Sequence, residues 1–337
     1  MRVQKIYPVR RKGRFRNMFN ERRQFVLLPS AGMYFRSFIH RLCNRSNEQH
    51  KWMKKPLVFS KLGAEARITW IGHSSFLIQL GGITILTDPI WGNATFLFKR
   101  IMQPPIEVCM LPPIDCVVIS HNHRDHMDLP TLRLLKKINP NMRILVPTGD
   151  KKHFDTAVID NVQEFFWWDS IKVGDACFTF LPAHHWSGRA FDDRNRSLWG
   201  SWMIEHSEST IYFAGDTAYW KHFSCIRHYF PRIDVALMPV GPCEPYGHMR
   251  HSHLSADLAV RAFCELGARE FIPMHWGTFN FGEDHFIVPI ERLKKAWESY
   301  SKHVKEKYLH IIKFGDSVAF DHLKSRVIHS ADITSVV

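Results

Sequence analysis

The chain has 337 residues, 45% hydrophobic and 13% aromatic. That is ample for a packed core and excludes a low-complexity or disordered protein. No apolar run approaches the ~20 residues a membrane-spanning helix needs. The formal net charge of +13 is unevenly placed: residues 1–55 hold 15 Lys or Arg against 2 Asp or Glu, and the remainder holds 30 of each sign.

The expected organisation is therefore a basic, partly apolar arm (1–60), a neutral body (61–325) and a short tail (326–337). The arm interleaves cations with bulky apolar residues, as in Arg14, Phe15, Met18, Phe19, Arg22, Arg23, Phe25 and Val26. Such a pattern suits an anionic membrane surface, with Lys and Arg at the headgroups and Phe beneath them. It also suits an arm packed on the body. A nucleic-acid patch ranks last, and no nucleic acid is expected as a partner. Arg22-Arg23 followed by Gln24 to Leu28 resembles a twin-arginine export signal, but Pro29 interrupts the apolar stretch, Arg36 ends it, and no A-x-A site follows. A cytoplasmic, peripheral membrane protein is expected, with export as the alternative. The seven cysteines form no C-x-x-C pair, which fits free thiols in a reducing compartment.

In the body, residues 68–72 and 76–80 read as strands around Gly72-His73-Ser74-Ser75. Gly81-Gly82 supplies a tight turn into a strand over 83–87, which ends at Asp88-Pro89. Residues 91–112 form a longer loop, with Phe96, Leu97, Phe98 and Ile101 among its apolar residues. Ile114 to Ile119 reads as a buried strand and 129–138 as a helix. Further strands are expected over 143–147, 162–167, 176–181, 233–240, 270–274 and 309–314, with a hairpin over 198–205 and 209–214. Helices are expected over 151–158, 255–266 and 289–305, the second capped by Ser255. Mixed β and α of this kind is compatible with an αββα arrangement, two stacked mixed sheets flanked by helices.

The chemistry concentrates in Ser120-His121-Asn122-His123-Arg124-Asp125-His126, on the loop leaving the C-terminal end of the 114–119 strand. In α/β sheets that edge is where ligands bind. Neutral imidazole nitrogen and carboxylate oxygen are what a Zn²⁺-like cation prefers. A turning loop can aim His121 and His123 at one ion and Asp125 and His126 at a second, and paired ions ~3.5–4 Å apart can support an in-line displacement. One loop cannot close two sites. Pro182-Ala183-His184-His185-Trp186, Ala214-Gly215-Asp216-Thr217 and Met274-His275-Trp276 each follow a predicted strand and complete a plausible set. Asp88, also at a strand end, either orients a ligand histidine or serves as a turn residue before Pro89.

This order resembles the metallo-β-lactamase fold. The words Thr69 to His73, Leu86 to Ile90, Leu111 to Asp115, Trp199 to Trp202, Phe213 to Thr217 and His275 to Phe279 are similar to those of the N-acyl-phosphatidylethanolamine-hydrolysing phospholipase D family. The resemblance runs from about Ala66 to Ser317. It implies two Zn²⁺, one held by His121, His123 and His185, the other by Asp125, His126 and His275, with Asp216 bridging. His185 is preferred to His184 because the family ligand directly precedes Trp. Asp88 and His73 are expected behind the ligands. The implied reaction cleaves N-acyl-phosphatidylethanolamine-like phospholipids to an N-acylethanolamine and phosphatidic acid. Asp125, Asp216 and His253 would be catalytic, and His253 would contact the substrate phosphate. Mammalian members carry Tyr where this chain has Arg124, which either pairs with a substrate phosphate or faces solvent, and the arm has no evident match. A lactone, thioester or other phosphodiester is the alternative substrate, and a non-enzymatic membrane or nucleic-acid binder the remaining alternative. A homodimer is compatible with the sequence.

Overall fold

The computed structural model describes residues 3–17, 51–52, 66–320 and the backbone of 325–328. Most of the predicted arm, including Arg22-Arg23, and the last residues of the tail lie outside the described residues.

Two mixed sheets stack face to face. The first has eight strands, in the order β17-β16-β3-β4-β5-β6-β7-β8. These are β3 Ala66–Gly72, β4 Ser75–Leu80, β5 Ile83–Thr87, β6 Cys116–Val118, β7 Arg143–Pro147, β8 Val162–Phe165, β16 Ser317–Phe320 and β17 Ser325–Ile328. Pairing is antiparallel from β17 to β5 and parallel from β5 to β8. Gly81 and Gly82 both have positive φ (54° and 79°), as a two-residue hairpin turn requires. The second sheet has seven strands, β15-β14-β13-β12-β11-β10-β9. They are β9 Ser170–Val173, β10 Ala176–Leu181, β11 Ser201–Glu205, β12 Thr210–Phe213, β13 Val235–Pro239, β14 Glu270–Met274 and β15 Tyr308–Leu309. Strands β12 to β15 run parallel and β9 to β12 antiparallel.

The main core lies between the inner faces of the sheets, where Trp70, Phe178, Trp202 and Phe213 are wholly buried. Each such side chain contributes roughly 1.5–3 kcal/mol by leaving water. A second core, with Leu77, Val117, Leu132 and Phe154, sits under helices α1 (Leu129–Ile138) and α2 (Lys151–Ala157). Helices α3 (His222–Tyr229), α5 (Ala256–Leu266) and α6 (Val288–Ser299) border the second sheet, with a single turn α4 (Tyr246–Met249) between α3 and α5. Among the described residues no helix is long and apolar enough to cross a membrane.

The architecture is the predicted αββα stack. Several local expectations change. Of the predicted 309–314 strand only Leu309, with Tyr308 before it, pairs with β14, and two later strands, β16 and β17, follow. Strand β17 crosses the expected body–tail boundary. The 289–305 helix ends at Ser299. Ser255 occupies the cap position of α5, but its side chain makes no capping bond. Ile101 packs against the main core, and Phe98 packs with Phe281, whereas Phe96 and Leu97 are exposed. The described cysteines are free.

The N-terminal segment forms a small hairpin, β1 Val9–Arg11 and β2 Arg14–Arg16. Its Phe15 is buried in the main core, and Trp168 and Tyr229 donate to the carbonyls of Ile6 and Val3. Residues 3–17 thus pack on the body.

Candidate metal centre

Six strands deliver their C-terminal ends to one edge of the stack. His73 follows β3, Asp88 follows β5, the 120–126 loop follows β6, His185 follows β10, Asp216 follows β12 and His275 follows β14. The sheets are tied together at this edge: Trp202 Nε1 donates to the Ile119 carbonyl at 2.9 Å and Gly200 N to the Ser120 carbonyl at 2.9 Å. Gly215, just before Asp216, has φ 57°. A Cβ there would lie 2.5 Å from Ser120 Cβ, so only glycine lets the two strand ends approach this closely.

The ligand groups converge in two halves. His121 Nε2 lies 2.7 Å from His123 Nδ1, and His185 Nε2 lies 3.3 Å from the same atom. Opposite them, Asp125 Oδ2 is 3.2 Å from His126 Nε2 and 3.8 Å from His275 Nε2. Asp216 Oδ2 stands between the halves, 3.1 Å from His275 Nε2, 3.4 Å from His126 Nε2 and 3.7 Å from His185 Nε2.

Neighbouring groups set which ring nitrogens are bare. A carboxylate or carbonyl oxygen only accepts, so the nitrogen facing it must carry the proton. His126 Nδ1 donates to Asp88 Oδ2 at 2.7 Å, and His185 Nδ1 donates to the Ser252 carbonyl at 2.8 Å. Ser120 Oγ donates to Asp88 at 2.5 Å, so it accepts from His121 Nδ1 at 2.9 Å. His121 and His185 thereby keep a bare Nε2 turned inward, whereas His126 Nε2 faces the Asp125 and Asp216 carboxylates, whose charges outweigh burial and hold that ring protonated until a cation takes the proton's place. The buried His126 Nε2, His275 Nε2 and Asp216 Oδ1 make no hydrogen bond within the protein. Bare nitrogens and carboxylate oxygens this close together, out of water, are what a cation needs, and the donor set fits a pair of divalent ions.

Charge states differ between the two halves. Burial pushes His123 and His185 down to about 3 and His121 well below its ordinary value, so all three are neutral. Burial would raise Asp216, but His275 and His126 outweigh it and hold the carboxyl well below its usual range. Burial also opposes charging His275, but Asp216 and Asp125 together raise it to about 9. Three residues here, His73, Asp88 and His275, have positive φ (53°, 33° and 62°), a backbone cost that concentrates at sites the surroundings over-determine.

The structure brings together all seven of the expected ligands. Asp88 is wholly buried and also accepts the Ser120 amide at 2.7 Å; of the two roles left open for it, the contacts are those of a residue orienting His126. His73 Nε2 donates to Asp125 Oδ2 at 2.9 Å, and its ring is enclosed by Phe279 and Phe281. His253 Nδ1 lies 3.6 Å from Asp216 Oδ2 with the side chain mostly buried. Arg124 is exposed at the rim and donates to the Arg189 carbonyl at 3.2 Å. His184 turns away, its ring 6.2 Å from Trp220. Sequence reading missed Ser120, the Ser252 carbonyl and Trp186, whose ring lies 4.0 Å from that of His123. It also missed Asn122, inside the motif itself. Its amide donates to the buried Asp150 at 2.8 Å and its oxygen accepts Gly188 N at 2.7 Å, which fixes the loop from behind.

Against this geometry the comparisons are informative. The family described as "Beta-lactamase superfamily domain" matches residues 84–276. The chain belongs to the beta-lactamase superfamily. Within it, the chain is 32% identical to N-acyl-phosphatidylethanolamine-hydrolyzing phospholipase D 1 of Caenorhabditis elegans, over 68% of this chain and 69% of that one. It is 35% identical to the mitochondrial protein of that name from Saccharomyces cerevisiae, over 68% of this chain and 51% of the yeast protein. Among solved structures it resembles Igni18, a metallo hydrolase of Ignicoccus hospitalis, with TM-score 0.57 and 19% identity over 76% of this chain and 98% of that one. The family resemblance read from the sequence is borne out, and at 31% identity to a UPF0173 metal-dependent hydrolase of Anaeromyxobacter sp. (strain K), over 64% of this chain and 76% of that one, the chain stands among the superfamily's metal-dependent hydrolases.

Proposed function

We propose that the protein is a zinc-dependent phosphodiesterase of phospholipase D type, acting on N-acyl-phosphatidylethanolamine-like lipids. The observation that carries this reading is the bridged arrangement of ligands, with Asp216 shared between two histidine-containing halves. His121, His123 and His185 would hold one ion, and Asp125, His126 and His275 the other. Bound there, a pair of divalent cations supplies an activated water and neutralises charge on the phosphoryl oxygens. Asp125 is the more exposed carboxylate, at 14% of its side chain against 2% for Asp216. In this reading it would take the proton of the attacking water and return it to the leaving alkoxide. Burial pushes His253 down to about 3, so it meets substrate as a neutral imidazole that hydrogen-bonds a phosphoryl oxygen and holds no spare proton. Arg124, fixed at the rim, suits a lipid phosphate.

The names of the worm and yeast relatives support the lipid substrate. So does the surface near the mouth. Among the described phenylalanines only Phe96 and Phe191 are exposed, at 82% and 99%. Phe96 lies on the loop whose Phe98 packs on Phe281 beside His275, and Phe191 on the loop that carries Arg189. Aromatic tips with arginines between them suit an anionic lipid surface.

Turnover of an N-acyl-phosphatidylethanolamine, a bis-nitrophenyl phosphate and a lactone by the zinc-loaded protein tests the reading. Both phosphodiesters should be cleaved and the lactone spared. Preference for the lactone would reject it.

A further inference from the structure

We propose that the N-terminal hairpin is a positioning strap for the three-histidine half of the metal centre, with Asn17 as the residue that acts on it. The proposal rests on the metal reading given above. Asn17 Nδ2 donates to the main-chain carbonyl of His185 at 2.9 Å, across 168 positions of sequence. That bond fixes the peptide plane between His185 and Trp186. His185 supplies a ligand nitrogen, and the Trp186 ring covers His123 at 4.0 Å, so one peptide plane governs two of the three histidines.

The rest of the hairpin grips the loop that follows. The Arg14 guanidinium donates to the carbonyls of Arg194 and Asp192, the latter at 2.9 Å, and Phe15 N donates to the Asn195 carbonyl at 2.7 Å. Phe15 is 2% exposed, buried in the main core, which anchors the strap to the rigid stack rather than to the loop alone. The Lys12-Gly13 turn has positive φ at both residues (51° and 73°), the geometry that closes a tight hairpin and aims both strands at the body. Arg194 in turn stacks over Trp186 at 4.4 Å. From the opposite side, Ala218 N donates to the His184 carbonyl at 2.8 Å, beside Asp216. The ligand segment is thus held between the catalytic stack and the strap.

None of these contacts touches the other half. Asp125, His126 and His275 are oriented by His73, Asp88 and the ends of the first sheet and β14. Asn17 also lies outside residues 84–276, the stretch that matches the superfamily domain.

Asn17→Asp tests this. Aspartate has nearly the same size but no amide hydrogen to donate, and its charge opposes the carbonyl. In the full-length protein, Zn²⁺ affinities are measured by chelator competition, with Tm recorded alongside. One of two zinc affinities should weaken about tenfold or more, the scale found for groups that orient ligands. Tm of the metal-free protein should stay within about 2 °C. Two backgrounds separate positioning from general damage. With His275→Ala, which leaves the three-histidine half, Asn17→Asp should weaken the remaining zinc; with His121→Ala it should not. Equal effects in both backgrounds, or no effect in either, would overturn the strap. If the native protein bound no zinc, the metal reading would fall and the strap with it, whereas two bound zincs untouched by Asn17→Asp would sink the strap alone.

Discussion

His121, His123 and His185 bring only imidazoles to the centre, whereas Asp125, His126 and His275 bring a carboxylate as well. The first group is all neutral, and its members are set by loop contacts: Ser120, the Ser252 carbonyl and the hairpin through Asn17. The second is set by groups at strand ends, with Asp88 behind His126 and His73 behind Asp125. Its charges already interact: Asp216 and Asp125 draw a proton onto His275 against the effect of burial. The lesson is that the two halves are built by different parts of the chain, one by the sheets and one by segments laid over them. They should therefore fail largely separately when their supports are removed, together at Asp216, and in part together at Asp88, which reaches His121 through Ser120.

Asp216→Asn removes the group common to both halves and should have the largest effect. Turnover of a soluble phosphodiester should fall about a hundredfold or more, with bound zinc dropping below two per chain. Turnover near the native value in this variant, with both metals retained, would break the comparison. Asp88→Asn sharpens it. The change leaves His126 Nδ1 without its carboxylate acceptor and should lower zinc affinity about 10–100-fold in the carboxylate half, with a smaller loss in the other half, which Asp88 reaches through Ser120 and His121. A selective loss in the three-histidine half, seen by chelator competition, would reverse the assignment of supports.

A smaller effect concerns the floor beneath the motif. Asp150 is wholly buried, and burial raises it from 3.8 to about 7, although the hydrogen bond from Asn122 pulls it down. Between those values the folded state keeps a proton that the unfolded chain has lost. Stability should therefore fall as pH rises from about 4 to 7 and then level off. Asp150→Asn should flatten that part of the stability curve while preserving the bond to Asn122; urea melts across this window check it. An unchanged slope would show that Asp150 does not carry it. The smallest effect expected is at the surface. Phe191→Ser should lower partition onto anionic vesicles several-fold without changing hydrolysis of a soluble diester. Equal partition would remove Phe191 from the lipid contact.

The comparison also explains what could be read from the amino-acid sequence. Four ligands lie within 121–126, on a loop after an apolar strand, and chemistry plus spacing marks them. His185, Asp216 and His275 are separated by long stretches, and only their common place at strand ends, together with family words such as Ala214-Gly215-Asp216-Thr217, ties them to the loop. Supports made by main-chain atoms leave no trace in residue identity, which is why the Ser252 carbonyl went unseen. Asn17 is legible only once its distance to His185 is known. Helix α3 was missed because its cap position is Lys221, with no side-chain capping bond. Strand β9 was missed because it is short and carries no buried residue to mark a face. The 309–314 region reads as a strand by composition, yet only its start finds a partner in β14.

Hydrolysis of an N-acyl-phosphatidylethanolamine in ¹⁸O-labelled water tests the central claim most directly. The account predicts one labelled oxygen on the phosphate of phosphatidic acid and none in the N-acylethanolamine, since the attack is on phosphorus. Label in a released fatty acid, or no phosphatidic acid from the fully metal-loaded protein, would contradict it.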